Sequence, residues 1–125
     1  MVQVETSQLT AECNAWREAL RQYREELTRD KTRLQEIARQ TFSKDQLQDL
    51  EHLHNQFHIQ LINIHDVKHA VKVHAKVIEQ QMAMYNGQLK EETLAEHEAL
   101  FDQYQTLDAT LQELRGKFER FQSHA

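Results

Sequence analysis

The sequence predicts an all-α protein: an antiparallel three-helix bundle of long, coiled-coil-like helices, dimerised through its middle helix. Three observations favour this class. The 125 residues include two glycines and no proline, whereas a sheet protein of this size needs several tight turns that normally contain them. Turn signals occur at two places, and each of the three intervening segments carries a seven-residue apolar repeat. We therefore expect a single domain over residues 1–125, with helices over roughly 7–41, 44–85 and 88–122.

The first helix is predicted by an apolar seam that advances in alternating steps of four and three residues. Such steps keep one stripe of a supercoiling helix facing its partners. Only Asp30 breaks the pattern. The seam consists of Leu9, Cys13, Trp16, Leu20, Tyr23, Leu27, Asp30, Leu34 and Ile37.

The second helix is predicted to begin at Ser43. Ser43 and Gln46 have the spacing of a capping box, and Asp45 suits the positive end of the helix dipole. The seam slips by one residue between the first and second segments, which favours a chain reversal; the alternative is one uninterrupted helix with a local stutter. The second seam consists of Leu47, Leu50, His54, Phe57, Leu61, Ile64, Lys68, Val71, Ala75, Ile78, Met82 and Tyr85.

The third helix follows Asn86 and Gly87, because glycine adopts the left-handed conformation that closes a helix. Its seam consists of His97, Leu100, Tyr104, Leu107, Leu111, Leu114, Phe118 and Phe121. The first six residues and the last three are expected to be loose ends.

The middle helix differs from its neighbours because it carries a second apolar seam opposite the first. One explanation is a flat arrangement in which the first and third helices cover both of its faces. The other is contact with a second copy, since contiguous exposed apolar surface usually marks an interface. We favour the homodimer, with an interface formed by Ile59, Ile62, Asn63, Asp66, Ala70, Val73 and Val77.

Six of the eight histidines fall between His52 and His74. His54 with His58 and His65 with His69 form pairs four residues apart, a spacing that places two imidazoles on one helix face. This spacing alone is not specific for a metal, because a catalytic zinc site usually has a third protein ligand. We therefore expect polar histidines in a half-buried interface and no bound metal.

The segment Ile64-His65-Asp66-Val67-Lys68 resembles the H-box of sensor histidine kinase dimerisation domains. In that family a phosphoaccepting histidine is followed by an acidic, an aliphatic and a basic residue on a long helix of a dimeric bundle. The resemblance covers five residues and implies that His65 accepts the phosphoryl group, helped by Asp66 or Lys68. His69 and Ala70 depart from it, since the family usually has Thr and Pro there.

The composition of the chain argues against several classes of function. The formal net charge of −5 argues against binding nucleic acid or anionic lipid through a global field, and no window is apolar enough to span a membrane. The start of the chain lacks the features of a signal peptide, so we expect a cytoplasmic protein. Two glycines and one seam cysteine do not assemble a phosphate-binding loop or a catalytic Cys-His pair.

We therefore expect a non-enzymatic self-associating interaction or structural module, without catalytic residues or cofactor. The alternative is a histidine phosphorelay or metal-responsive module centred on His65.

Overall fold

The computed structural model describes residues 2–3, 5–40 and 42–124 and confirms the all-α three-helix bundle. The helices are α1 (Thr6–Ile37), α2 (Lys44–Met84) and α3 (Glu91–His124). Two short strands, β1 (Val2–Gln3) and β2 (Gln88–Leu89), pair in antiparallel fashion. The 41 residues of α2 give a helix about 60 Å long, so the bundle is a rod.

The direction of the helices follows from the side chains that join them. Tyr23 of α1 donates a hydrogen bond to Asp108 of α3, and Asp30 further along α1 pairs with Arg115 further along α3. Partners advance in the same direction on both helices, which makes α1 and α3 parallel. α2 returns between them, as the predicted up-down-up order requires.

α1 ends earlier than predicted. It stops at Ile37, and the amides of Ala38, Arg39 and Gln40 close the helix in a short turn. The expected end at Thr41 lies outside the described residues. Ile37 is the last apolar residue of the seam, so a longer helix would have had nothing further to bury.

The signals that begin and end α2 are confirmed. The Ser43 amide donates to Oε1 of Gln46 at 2.9 Å, and the Gln46 amide donates to Oγ of Ser43 at 3.3 Å. At the other end Asn86 and Gly87 have φ values of 51° and 85°. The Gly87 amide donates to the Met82 carbonyl, a bond that satisfies one of the last carbonyls of the helix.

The region before α3 differs from the prediction. Gln88 and Leu89, expected in the helix, form β2 and pair with Gln3 and Val2. Residues 2–3 are therefore paired with the segment that precedes α3, and Leu89 is fully buried. The Gln81 side chain of α2 then accepts hydrogen bonds from the Lys90 amide and the Thr93 hydroxyl, which positions the start of α3.

The core consists of two apolar clusters along the rod. The larger contains Leu20, Leu27, Phe57, Leu111 and other seam residues, and the smaller contains Cys13, Trp16, Val71, Ile78, Leu89 and Leu100. Asp30, the break in the first seam, is only 16% exposed and lies 3.0 Å from Nε of Arg115. The break is therefore an ion pair between α1 and α3.

The predicted seam of α2 is only partly correct. Leu47 is 47% exposed and His54 is also exposed, although both were expected to face the core. Leu53, Gln60 and His74 are buried instead. They are separated by seven and fourteen residues and lie on the flank of the seam, because α2 packs against both α1 and α3. Among the described residues, none of the helices combines the length and the apolarity that a membrane span requires.

Candidate functional site

The second seam of the middle helix lies on the side of α2 that faces away from the bundle core. We call its seven predicted positions the outer α2 face. Ile59, Ile62 and Val73 are 44%, 49% and 48% exposed, values that are high for branched aliphatic side chains. The outer α2 face consists of Ile59, Ile62, Asn63, Asp66, Ala70, Val73 and Val77.

The other positions of the outer α2 face are partly covered or polar. Ala70 and Val77 are half-buried and line a groove between α2 and α3. Asn63 donates from Nδ2 to Oε1 of Gln60 at 3.1 Å, and Asp66 is exposed. The face is thus an apolar stripe with two polar residues near its middle.

The flat arrangement considered from the sequence does not occur. Trp16 of α1 stacks on Phe101 and Tyr104 of α3, and Tyr23 bonds to Asp108, so α1 and α3 meet each other on one side of α2. They close a three-sided bundle against the inner face of α2. Ile59, Ile62 and Val73 of the outer α2 face are left exposed by their own chain.

The two predicted histidine pairs lie on the surface. His54, His58, His65 and His69 are all exposed. Within the described part of the chain, neither pair belongs to a group of three metal-ligating side chains. His65, the counterpart of the phosphoaccepting histidine, has an accessible ring, and the phosphorelay interpretation stays a prediction.

A different group of metal-ligating side chains lies inside the bundle, where all three helices meet. One ligand atom from each of Cys13, His74 and His97 falls within 4.8 Å of the others. Cys13 is fully buried, His74 is 4% exposed and His97 is 6% exposed. We call these three residues the cysteine–histidine cluster.

Glu12 extends the cysteine–histidine cluster through hydrogen bonds. Nε2 of His97 lies 2.8 Å from Oε2 of Glu12, and Nδ1 of His97 lies 2.9 Å from Nε2 of His74. A carboxylate only accepts, so the proton on His97 belongs on Nε2 when the ring is neutral. Nδ1 of His97 then accepts from Nε2 of His74, and the tautomers of both neutral rings are fixed.

The surroundings favour the neutral forms of His74 and Cys13. Burial lowers the pKa of His74, and the neighbouring His97 lowers it further. Burial also raises the pKa of the Cys13 thiol, with a smaller contribution in the same direction from Glu12. The Trp16 ring lies 4.9 Å from the His97 ring, centroid to centroid, and packs against it.

The sequence did not predict the cysteine–histidine cluster, although Cys13 and His97 were correctly placed in apolar seams. No catalytic Cys-His pair was expected, but the structure brings Cys13 close to two histidines. His74 was missed because it lies beside the predicted seam of α2. The seven-residue spacing of Leu53, Gln60, Val67 and His74 is the signal that indicates a buried flank.

No protein-family model, curated protein or solved structure matches this chain.

Proposed function

We propose that this protein is a non-enzymatic helical bundle that self-associates through the outer α2 face. The observation that carries the proposal is the exposure of Ile59, Ile62 and Val73 along one stripe of α2, whose opposite side carries the buried residues Phe57, Ile64, Val71 and Ile78. Burying an aliphatic side chain of this size contributes about 1.5 to 3 kcal/mol when it is complete. A second copy of the same face offers that burial.

The order of residues along the outer α2 face suits an antiparallel two-fold contact. Residues equidistant from position 68 face each other across such a contact, since the same patch is used by both copies. Ile59 then meets Val77 of the other copy, and Asn63 meets Val73. Asp66 meets the small Ala70, which leaves room for water beside the carboxylate.

The size of the stripe sets the expected strength of the dimer. From Ile59 to Val77 an α-helix rises about 27 Å, and a contact along one helix is smaller than the roughly 800 Å² per partner of a standard interface. We therefore expect a dissociation constant on the order of micromolar or weaker. Measurements of the oligomeric state need to reach protein concentrations of about a hundred times this dissociation constant.

The test is Val73→Glu, examined by sedimentation equilibrium and circular dichroism. Because Val73 is half exposed in the single chain, the substitution should leave the helix content and melting temperature of the monomer unchanged. In the dimer it buries a carboxylate in each copy, which costs several kcal/mol. Gln105→Glu, on the exposed surface of α3, adds the same charge and should leave the dimer intact.

A wild type that stays monomeric up to the highest concentration would reject the proposal. Equal weakening of the dimer by Val73→Glu and by Gln105→Glu would also reject it, since the effect would then come from net charge.

A further inference from the structure

The residues of the cysteine–histidine cluster are unusually polar for side chains buried in the core of a bundle. Cys13 belongs to the same apolar cluster as Val71, Ile78, Leu89 and Leu100, and His74 and His97 are also buried. At such buried positions a leucine would gain burial energy without the cost of desolvating an imidazole. Two histidines and a cysteine from three different helices nevertheless share this space. A ligand that requires nitrogen and sulfur donors explains the choice.

We propose that Sγ of Cys13, Nε2 of His74 and Nδ1 of His97 bind a zinc ion. Thiolate and imidazole are the donors that zinc prefers, and three protein ligands with an open fourth position form a recognised zinc geometry. Zinc-bound nitrogens lie about 3.3 Å apart when each Zn–N bond is about 2.0 to 2.1 Å. Nε2 of His74 and Nδ1 of His97 are 2.9 Å apart, so this separation needs to widen by only a few tenths of an ångström.

Glu12 strengthens the proposal because it contacts the other nitrogen of His97. Histidine ligands normally donate their second ring N–H to a carboxylate, which fixes the tautomer and orients the ring. The 2.8 Å contact from Nε2 of His97 to Glu12 leaves the Nδ1 lone pair directed into the cluster. The orienting partner of a metal ligand is thus already in position.

The protons and charges of the binding step balance. The Cys13 thiol loses one proton to solvent, and the proton on Nε2 of His74 moves to Nδ1 of the same ring. Sγ of Cys13 and Nε2 of His74 then each offer a lone pair to the zinc ion, as Nδ1 of His97 already does. Zinc with one thiolate carries a net charge of +1, which the Glu12 carboxylate offsets. A water molecule occupies the fourth coordination position. It reaches the zinc ion through the groove between α2 and α3, because His74 lines that groove.

Zinc binding does not require self-association, since the outer α2 face contributes none of the three ligands. It replaces the expectation of no bound metal, which rested on the exposed histidine pairs. Those pairs provide matched controls on the same helix.

The experiment is a cobalt and zinc titration of metal-free protein purified without a histidine tag. One equivalent of Co²⁺ should give the near-ultraviolet charge-transfer absorption of a cobalt–thiolate bond, and one equivalent of Zn²⁺ should remove it. Cys13→Ala and His74→Leu should each abolish this absorption while circular dichroism remains that of a folded bundle. His58→Ala and His65→Ala should bind as wild type does.

Glu12→Gln tests the orienting role, with an expected loss of zinc affinity of about 10- to 100-fold. The absence of the charge-transfer band in the wild type at one equivalent would overturn the proposal. Stoichiometric binding that survives Cys13→Ala and is lost in His65→Ala would also overturn it, because it would place the metal on the surface of α2.

Discussion

Leu27→Ala measures how much the packing of a single seam residue stabilises the bundle. Leu27 is fully buried in the larger core cluster. The substitution removes three carbons, worth about 2.4 kcal/mol at roughly 0.8 kcal/mol each, and the cavity left behind raises the cost to about 3 to 5 kcal/mol. A chain of 125 residues has a total stability of about 6 to 19 kcal/mol, so the loss is a large share of it.

Leu47→Ala is the matched control. The sequence places both leucines in apolar seams, but Leu47 is 47% exposed in the structure. We expect its replacement to cost less than about 0.5 kcal/mol, since little surface is uncovered and alanine has the higher helix propensity.

The assay is urea unfolding followed by circular dichroism, at two protein concentrations so that self-association is detected. With an m-value of about 1 to 3 kcal/mol per molar, Leu27→Ala should lower the midpoint by about 1 to 5 M at unchanged m. Equal shifts for Leu27→Ala and Leu47→Ala would refute the reasoning, because they would show that the core does not lie where the structure places it.

Two further outcomes are expected. Burial, and then the hydrogen bond to Asp108, raise the pKa of Tyr23 to about 12, above its unfolded value near 10. The resulting stability, about 1 to 2 kcal/mol after screening, is present below pH 10 and lost towards pH 12, so Tyr23→Phe should flatten the alkaline decline in stability measured by urea unfolding. Ser43→Ala should cost about 1 kcal/mol in the same assay because it removes the capping box, whereas Ser123→Ala in the last turn of α3 should cost less than half as much. A steep alkaline decline that persists in Tyr23→Phe, or equal costs for the two serines, would contradict these expectations.

The turns of this protein were predictable from a few residues because the interactions that make them are local. The Ser43–Gln46 capping box involves residues three apart in the sequence. Gly87 adopts a positive φ, which costs glycine little because it has no Cβ atom. The apolar seams of α1 and α3 were equally readable, since the helical period alone decides which residues share a face. The sequence by itself thus determined the fold class, the three helices and the side of α1 and α3 that is buried.

The errors occur where a residue's environment depends on distant parts of the chain. Gln88 and Leu89 pair with residues near the N-terminus, a contact that no local pattern announces. Leu47 and Leu53 both fit an apolar helix, and only the placement of α1 and α3 against α2 decides that Leu53 is buried and Leu47 is exposed.

The two candidate sites divide in the same way. Periodicity was sufficient to identify the outer α2 face, because a helix with apolar residues on opposite sides has more such surface than one core needs. The cysteine–histidine cluster required the tertiary structure. Cys13, His74 and His97 lie far apart in the sequence, and their meeting depends on the longitudinal register of three helices. A shift of one turn, about 5.4 Å, would separate their donor atoms while leaving each seam buried. Register is fixed by the sum of many side-chain contacts between helices, and a single-helix period contains no information about it.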